Sequence, residues 1–400
     1  MQVLFLSTWF PYPTDNGSKI RVHYLLKALA QRHQVHLISF AFDTAAPDHA
    51  HELRAWGIKV QAVHANPFNQ QQKMGARRFL SPAPAVTYPV REMSEAVQAA
   101  IGQRFVDVAI ASIEVTATYV NLLPLTTKRV LEEHNSLTRW MRERYQAQTT
   151  PIQRLRCWLS WLKASRYEAR LFNQFDLCTM VSEQDRQTSL RLVRDLKRRI
   201  EVIPNGVDCQ RNRGGFSPVS TNRLIYTGAL TYQANYNAVK YFLAEVYPIV
   251  QQTVPDVTLT ITGSNTGVNL SELKLDNSVS FSGYVDDVRP LVSSSQICVV
   301  PIQEGGGTRL KILEAMALGT PVISTSKGAE GLAVENNEHI LIADDAASFA
   351  AGVLRLLKDA DLQNRLTANA RRLVEQQYDW DRIGQRYVEL IESISKETDR

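Results

Sequence analysis

The feature that most constrains this chain is an alternation of strand-length apolar runs with helical patterns, and it occurs twice. VLFLST (3–8), VHLISF (35–40) and IKVQAVH (58–64) have the length and composition of buried strands. Between the first two, GSKIRVHYLLKALAQR places Ile20, Tyr24, Leu25, Ala28 and Leu29 at a helical period. Strand, helix, strand builds a parallel sheet, and VDVAIAS (106–112), KRVLEEH (128–134) and DLCTMVS (176–182) continue it. A second series runs through RLIYTG (223–228), TLTITG (258–263), VSFSGYV (279–285), ICVVPI (297–302) and PVIST (321–325). The two are separated by IPNGVDCQRNRGGFSPVSTN (203–222), which holds an Asn-Gly turn, a Gly-Gly pair and two prolines but little apolar periodicity. This predicts an α/β protein with two doubly wound, Rossmann-like domains, 1–204 and 205–377. Domains of this kind bind ligands at the carboxyl ends of their strands, and two facing each other would leave a cleft there.

Length agrees, since 400 residues exceed one ordinary core. With 44% apolar and 21% charged residues the chain is globular throughout. The four cysteines, at 157, 178, 209 and 298, form no C-x-x-C pair, which fits a reducing cytoplasm and argues against structural zinc. The opening MQVLFLSTWFPYP lacks a basic leader and a small-residue cleavage site, and reads as a first buried strand. No apolar run has the ~18 residues of a membrane span.

The net charge of +5 is unevenly spread. Arg139 to Arg199 holds 14 Lys plus Arg against 6 Asp plus Glu, either a solvated helical surface or one that meets an acidic partner. No recognised nucleic-acid motif accompanies it, so nucleic acid is not expected as a partner.

Residues 301–323, PIQEGGGTRLKILEAMALGTPVI, run from a strand through a glycine loop into a helix, with Gly319 and Pro321 as stop signals. Gly305, Gly306 and Gly307 let the backbone approach a bulky anion at the helix N-terminus. Lys311 and Glu314, three apart, share a helix face. Such a pair is either a surface ion pair or, beside this loop, a cation for a diphosphate and a carboxylate for vicinal hydroxyls. The absence of G-x-x-x-x-G-K-[ST] argues against an ATP-binding P-loop.

At these residues a family becomes visible. GGGTRLKILEAMALGTPVIST resembles the donor-binding stretch of the retaining glycosyltransferases of the GT-B fold, family 4. The N-terminal LSTWFPYPTDNGSKIRVHYLLKALAQRHQVHLISF, VSEQD (181–185), VIPNGVD (202–208) and YDWDRIGQRY (378–387) match as well, so the resemblance covers the whole chain. EEHNS and TGALTYQANYNAVKYF are similar to a bacterial branch of exopolysaccharide and envelope glycan assembly.

The resemblance implies a nucleotide-diphosphate-sugar as donor substrate, with no cofactor and no metal, and a C-terminal helix, 378–400, crossing back to the first domain. Glu314 would hold the ribose hydroxyls. The family's first Glu, eight residues earlier, is here Gly306, so sugar contacts fall to loop amides or to Glu304. After Gly228 many relatives carry an Arg and then a Lys, where this chain has Ala229 and Ala234. Arg309 or Lys311 would then neutralise the diphosphate, with Asn235 as a neutral donor and Thr308 completing the loop. His134, in the polar cluster Glu132-Glu133-His134-Asn135, would stand beside the donor sugar. Gly17, with Asn16 and Ser18, would form the amino-terminal loop near the phosphates.

The acceptor is a saccharide or a polyprenyl-linked saccharide by the same resemblance. PIQRLRCWLSWLKASRYEARLF (151–172) is either an amphipathic helix packed on the sheet or an interfacial helix at the inner membrane face. Two further classes stay open: a nucleotide-sugar epimerase, and a non-catalytic sugar-binding subunit.

Overall fold

The computed structural model describes residues 1–42, 49–69, 88–103, 105–192, 199–216 and 218–396; the end of the expected C-terminal segment, 397–400, lies outside them. The chain divides into two compact units, Met1–Pro204 with Ile383–Arg400, and Asn205–Arg382.

In the first unit seven parallel strands lie in the order β3-β2-β1-β4-β5-β6-β7. They are β1 Gln2–Ser7, β2 Gln34–Phe40, β3 Lys59–Val63, β4 Val108–Ser112, β5 Lys128–Glu132, β6 Leu177–Met180 and β7 Arg199–Val202. All five residues of β4 are buried, as expected for a central parallel strand covered on both faces. The helices are α1 Gly17–Ala30, α2 Ala50–Arg54, α3 Arg91–Gln103, α4 Glu114–Ala117, α5 Leu137–Gln146, α6 Pro151–Phe172 and α7 Glu183–Leu192. The second unit holds six parallel strands in the order β10-β9-β8-β11-β12-β13. These are β8 Ser220–Thr227, β9 Thr258–Thr262, β10 Val279–Gly283, β11 Ser295–Val300, β12 Val322–Ser324 and β13 Leu341–Ile342. Its helices are α8 Gln233–Tyr241, α9 Tyr247–Thr253, α10 Arg289–Ser293, α11 Leu310–Leu318, α12 Ala346–Lys358 and α13 Ala360–Leu373, and the last helix, α14 Trp380–Lys396, belongs to the first unit from Ile383 onward.

Each sheet reverses direction at one point, between β1 and β4 in the first unit and between β8 and β11 in the second. At such a switch the connecting loops diverge and open a crevice beyond the strand ends.

Three elements depart from the sequence reading. β7 and β13 are short sheet-edge strands without a long apolar run. On α1 the buried face is Lys19, Arg21, Val22, Leu25, Leu26 and Leu29, rather than the row through Ile20, Tyr24 and Ala28. Ala28 instead meets α14, since a methyl group added at Gly384 would lie 2.6 Å from its Cβ. α14 begins at Trp380, with the Asp379 carboxylate accepting from Asp381 N at 2.8 Å, the geometry of an N-cap.

Candidate active site

In the second unit the expected donor residues gather at the switch point. β8 ends at Thr227 and β11 at Val300, so Gly228 and the loop after Pro301 both leave the sheet there. Gly228 has φ +144°, and a methyl group on it would lie 2.7 Å from Lys311 Nζ and 2.8 Å from Asn235 Nδ2. Only glycine allows the ammonium and the amide to pack on the backbone at this corner.

Lys311, in the first turn of α11, makes its hydrogen bond to Asn235 Oδ1 (3.1 Å), not to Glu314. Its Nζ also stands 4.1 Å from the centre of the Tyr226 ring, a cation–π contact. The Tyr226 hydroxyl donates to the same Asn235 Oδ1 (2.8 Å), and Asn235 Nδ2 donates to Ala229 O (2.9 Å). Asn235 is thereby fixed as the acceptor that holds the ammonium at the Gly228 corner. Burial, reinforced by the nearby Arg309 charge, lowers the Lys311 pKa from 10.5 to about 7. Burial likewise raises that of Glu314, against the pull of Lys311.

Arg309 has a different task. It stands at the N-cap of α11 and is 9% exposed. Its guanidinium donates to Gly306 O (2.6 Å), Gly305 O (2.7 Å) and Glu304 O (3.2 Å). With the carbonyls turned toward Arg309, the loop is held in one conformation from within. Arg309 is therefore a positioning residue, and Lys311 is the cation at the strand ends. Gly305 (φ +89°) and Gly307 (φ +83°) need the left-handed region, and Gly305 also packs on Ala234, whose Cβ would be 3.3 Å from an added methyl group. The small Ala234 leaves room for the loop. Gly306 has no such constraint, since an added methyl group meets nothing within 4 Å. Gly306→Ala should leave the unfolding midpoint unchanged, while Gly305→Ala should cost about 1–2 kcal/mol, read by denaturant unfolding. Glu304 is exposed and accepts from Asn237 Nδ2. Thr308 Oγ1 is buried without a hydrogen-bond partner among the described residues.

In the first unit β5 delivers Glu132 and, two residues on, His134. Arg21 from α1 pairs with Glu132, both buried, and also donates to Pro204 O (3.1 Å). Burial acts to raise the Glu132 pKa, but the Arg21 and His134 charges outweigh it and hold the carboxyl well below the usual range. The ionised Glu132 Oε2 accepts from His134 Nε2 (2.9 Å) and from Ser112 Oγ (3.0 Å). His134 Nδ1 lies 3.0 Å from Ser18 Oγ. Gly17 is the first residue of α1, and Asn16 caps it by accepting from Lys19 N (3.1 Å). Both ring nitrogens of His134 are thus committed, and its plane is set by partners from three separate segments.

Arg21, Ser112, Tyr226 and Asn237 were not among the candidates. A charged residue on the apolar face of α1, four before Leu25, was the only local signal for Arg21.

Residues 15–211 match the model of Glycosyltransferase Family 4, and residues 221–359 match that of Glycosyl transferases group 1. The chain belongs to the group 1 glycosyltransferases. Among solved structures, the chain is similar to sucrose-phosphate synthase of Thermosynechococcus elongatus, with a TM-score of 0.74, 20% identity, and coverage of 98% of this chain and 99% of that one. Anabaena HepE in complex with UDP gives a TM-score of 0.68 at 18% identity, covering 98% and 100%. These likenesses establish the GT-B fold. An uncharacterized glycosyltransferase of Methanocaldococcus jannaschii is 30% identical over 177 residues, 42% of this chain and 44% of its own length. The chain spans under half the length of the curated relatives it matches.

Proposed function

We propose that the chain is a retaining, metal-independent glycosyltransferase that moves a sugar from a nucleoside-diphosphate donor to a saccharide or polyprenyl-linked saccharide of the cell envelope, working at the inner membrane face. The observation that carries this reading is Lys311 fixed by Asn235 at the Gly228 corner, beside a glycine loop clamped from behind by Arg309. A diphosphate at the head of α11 would meet the ammonium, the helix N-terminal amides and the Thr308 hydroxyl together. HepE, solved with UDP, supports a donor of this class.

In the transfer the bond from the anomeric carbon to the diphosphate breaks with its electron pair on the phosphate oxygen. The acceptor oxygen bonds to that carbon from the same face, and its proton passes to the departing diphosphate. Protein catalysis is then electrostatic: Lys311 and the loop amides stabilise the leaving group. Among the described residues no three His, Cys, Asp or Glu side chains are grouped to hold a metal, and Lys311 supplies the positive charge in this reading. The Glu132 and Ser18 bonds hold the His134 ring in one orientation, and Glu314 takes the ribose in this reading. The test is nucleoside diphosphate release from UDP-, GDP-, dTDP- and ADP-sugars with saccharide acceptors. Acceptor-dependent release with the donor's anomeric configuration kept in the product, read by NMR, is expected; an inverted product, or sugar interconversion without acceptor, contradicts the proposal.

A pH dependence follows. Only the ammonium form of Lys311 neutralises diphosphate, and at a pKa of about 7 the free protein loses it as pH rises. Affinity for the nucleoside diphosphate should fall by about 20-fold from pH 6.5 to 8.5 as binding draws in a proton. Calorimetry in buffers of different ionisation enthalpy measures both the affinity and the proton uptake.

A further inference from the structure

Helix α6 has two apolar faces. Ala164, Glu168, Leu171 and Phe172 are buried, and Glu168 accepts from Leu137 N (2.7 Å) and Thr138 N (3.0 Å) at the start of α5. Trp161 stacks on Tyr145 of α5 with ring centres 6.0 Å apart, which fixes the rotation of α6. At 100° per residue, Ile152, Leu155, Trp158 and Leu159 form a second stripe roughly 150° around the helix from this buried face. These four are 75%, 57%, 39% and 48% exposed, and no residue from 151 to 160 is buried.

The charge around the stripe says what covers it. From Leu137 to Phe172 there are eight Lys or Arg against two Glu. Glu168 is spent on the α5 amides, and Glu143 is paired with Arg139 at 3.3 Å. Arg156, Lys163, Arg166 and Arg170 are exposed and fall on the same outward side as the stripe. An apolar stripe edged by cations, with no acidic residue on its outward side, complements an anionic lipid surface. No helix among the described residues is long and apolar enough to cross a membrane, so α6 would lie along the surface.

We propose that the α5–α6 pair is a bilayer-docking surface, with Ile152, Leu155, Trp158 and Leu159 entering the headgroup boundary and Arg156, Lys163, Arg166 and Arg170 meeting lipid phosphates. This rests on the membrane-face acceptor reading above for its purpose, but it is measured without turnover. The full chain is floated with phosphatidylglycerol/phosphatidylcholine vesicles (roughly 3:7) and with phosphatidylcholine alone. Wild type should float with the anionic vesicles, at least about 10-fold less with neutral ones, and less as salt rises. Leu155→Asp/Leu159→Asp and Arg156→Glu/Arg166→Glu should each lose at least about 10-fold of this binding while keeping the wild-type melting temperature and UDP affinity. Failure of wild type to float, or variants floating like wild type, overturns the proposal. So does self-association in sedimentation velocity that Leu155→Asp/Leu159→Asp disperses without any vesicle binding, since the stripe would then join two copies. Flotation without sugar transfer would leave this surface standing and remove the transferase reading; transfer without flotation would do the reverse.

Discussion

Lys311→Glu should abolish nucleoside-diphosphate binding, weakening it by at least about 100-fold, or roughly 3 kcal/mol. Asn235 and Tyr226 hold the ammonium at the Gly228 corner, and Arg309 is engaged with loop carbonyls. Reversal would put a carboxylate against the diphosphate at the head of α11. Lys311→Met separates function from folding. It removes a buried cation whose folded pKa, about 7, lies below its unfolded value of 10.5. Between those values the unfolded chain binds more protons, so this group's destabilising effect is full below pH 7 and relieved as pH rises toward 10. The Met variant should therefore be as stable as wild type or more so at pH 6, with the difference shrinking by pH 9, while binding remains lost. Urea unfolding at the two pH values gives the stability, and calorimetry gives the affinity.

The second large effect is expected at His134. On the proposed reading of His134 as a group that acts in transfer and not in nucleotide binding, His134→Ala should lower kcat by about 100-fold or more with donor affinity changed only a few-fold. Ser18→Ala should give a smaller loss of the same kind, since it frees the Nδ1 side of the ring and leaves the Glu132 bond intact. Arg21→Met should act through folding instead. It strands the buried Glu132 carboxylate, a loss of about 3–5 kcal/mol in denaturant unfolding. Retained turnover in His134→Ala would remove the ring from the chemistry.

Much of this was legible in one sequence. The βαβ alternation located the strands because central parallel strands are continuous apolar runs, and β4 is buried along its whole length. Gly319 adopts φ +79° at the end of α11, where a glycine stop followed by Pro321 was expected. The failures have a common cause. β7 and β13 are edge strands, half covered and short, so they lack the apolar run that marks a central strand. Arg21 reaches Glu132 across 111 residues of sequence, and Tyr226 reads as one more strand aromatic until Lys311, 85 residues on, is placed over its ring. Arg309 was grouped with Lys311 because both are cations at a helix start. Only the direction of the guanidinium, toward the loop carbonyls, gives it a different role.

The central claim is that the β11–α11 loop of the second unit holds a nucleotide-sugar. Saturation-transfer NMR of the full chain against UDP-, GDP-, dTDP- and ADP-sugars, beside Glu314→Ala, tests it most directly. At least one donor should receive saturation at its ribose and sugar protons from wild type, with the ribose signals selectively lost in Glu314→Ala. If no donor receives saturation from wild type, or the ribose signals are identical in the two proteins, the site is not where the account puts it.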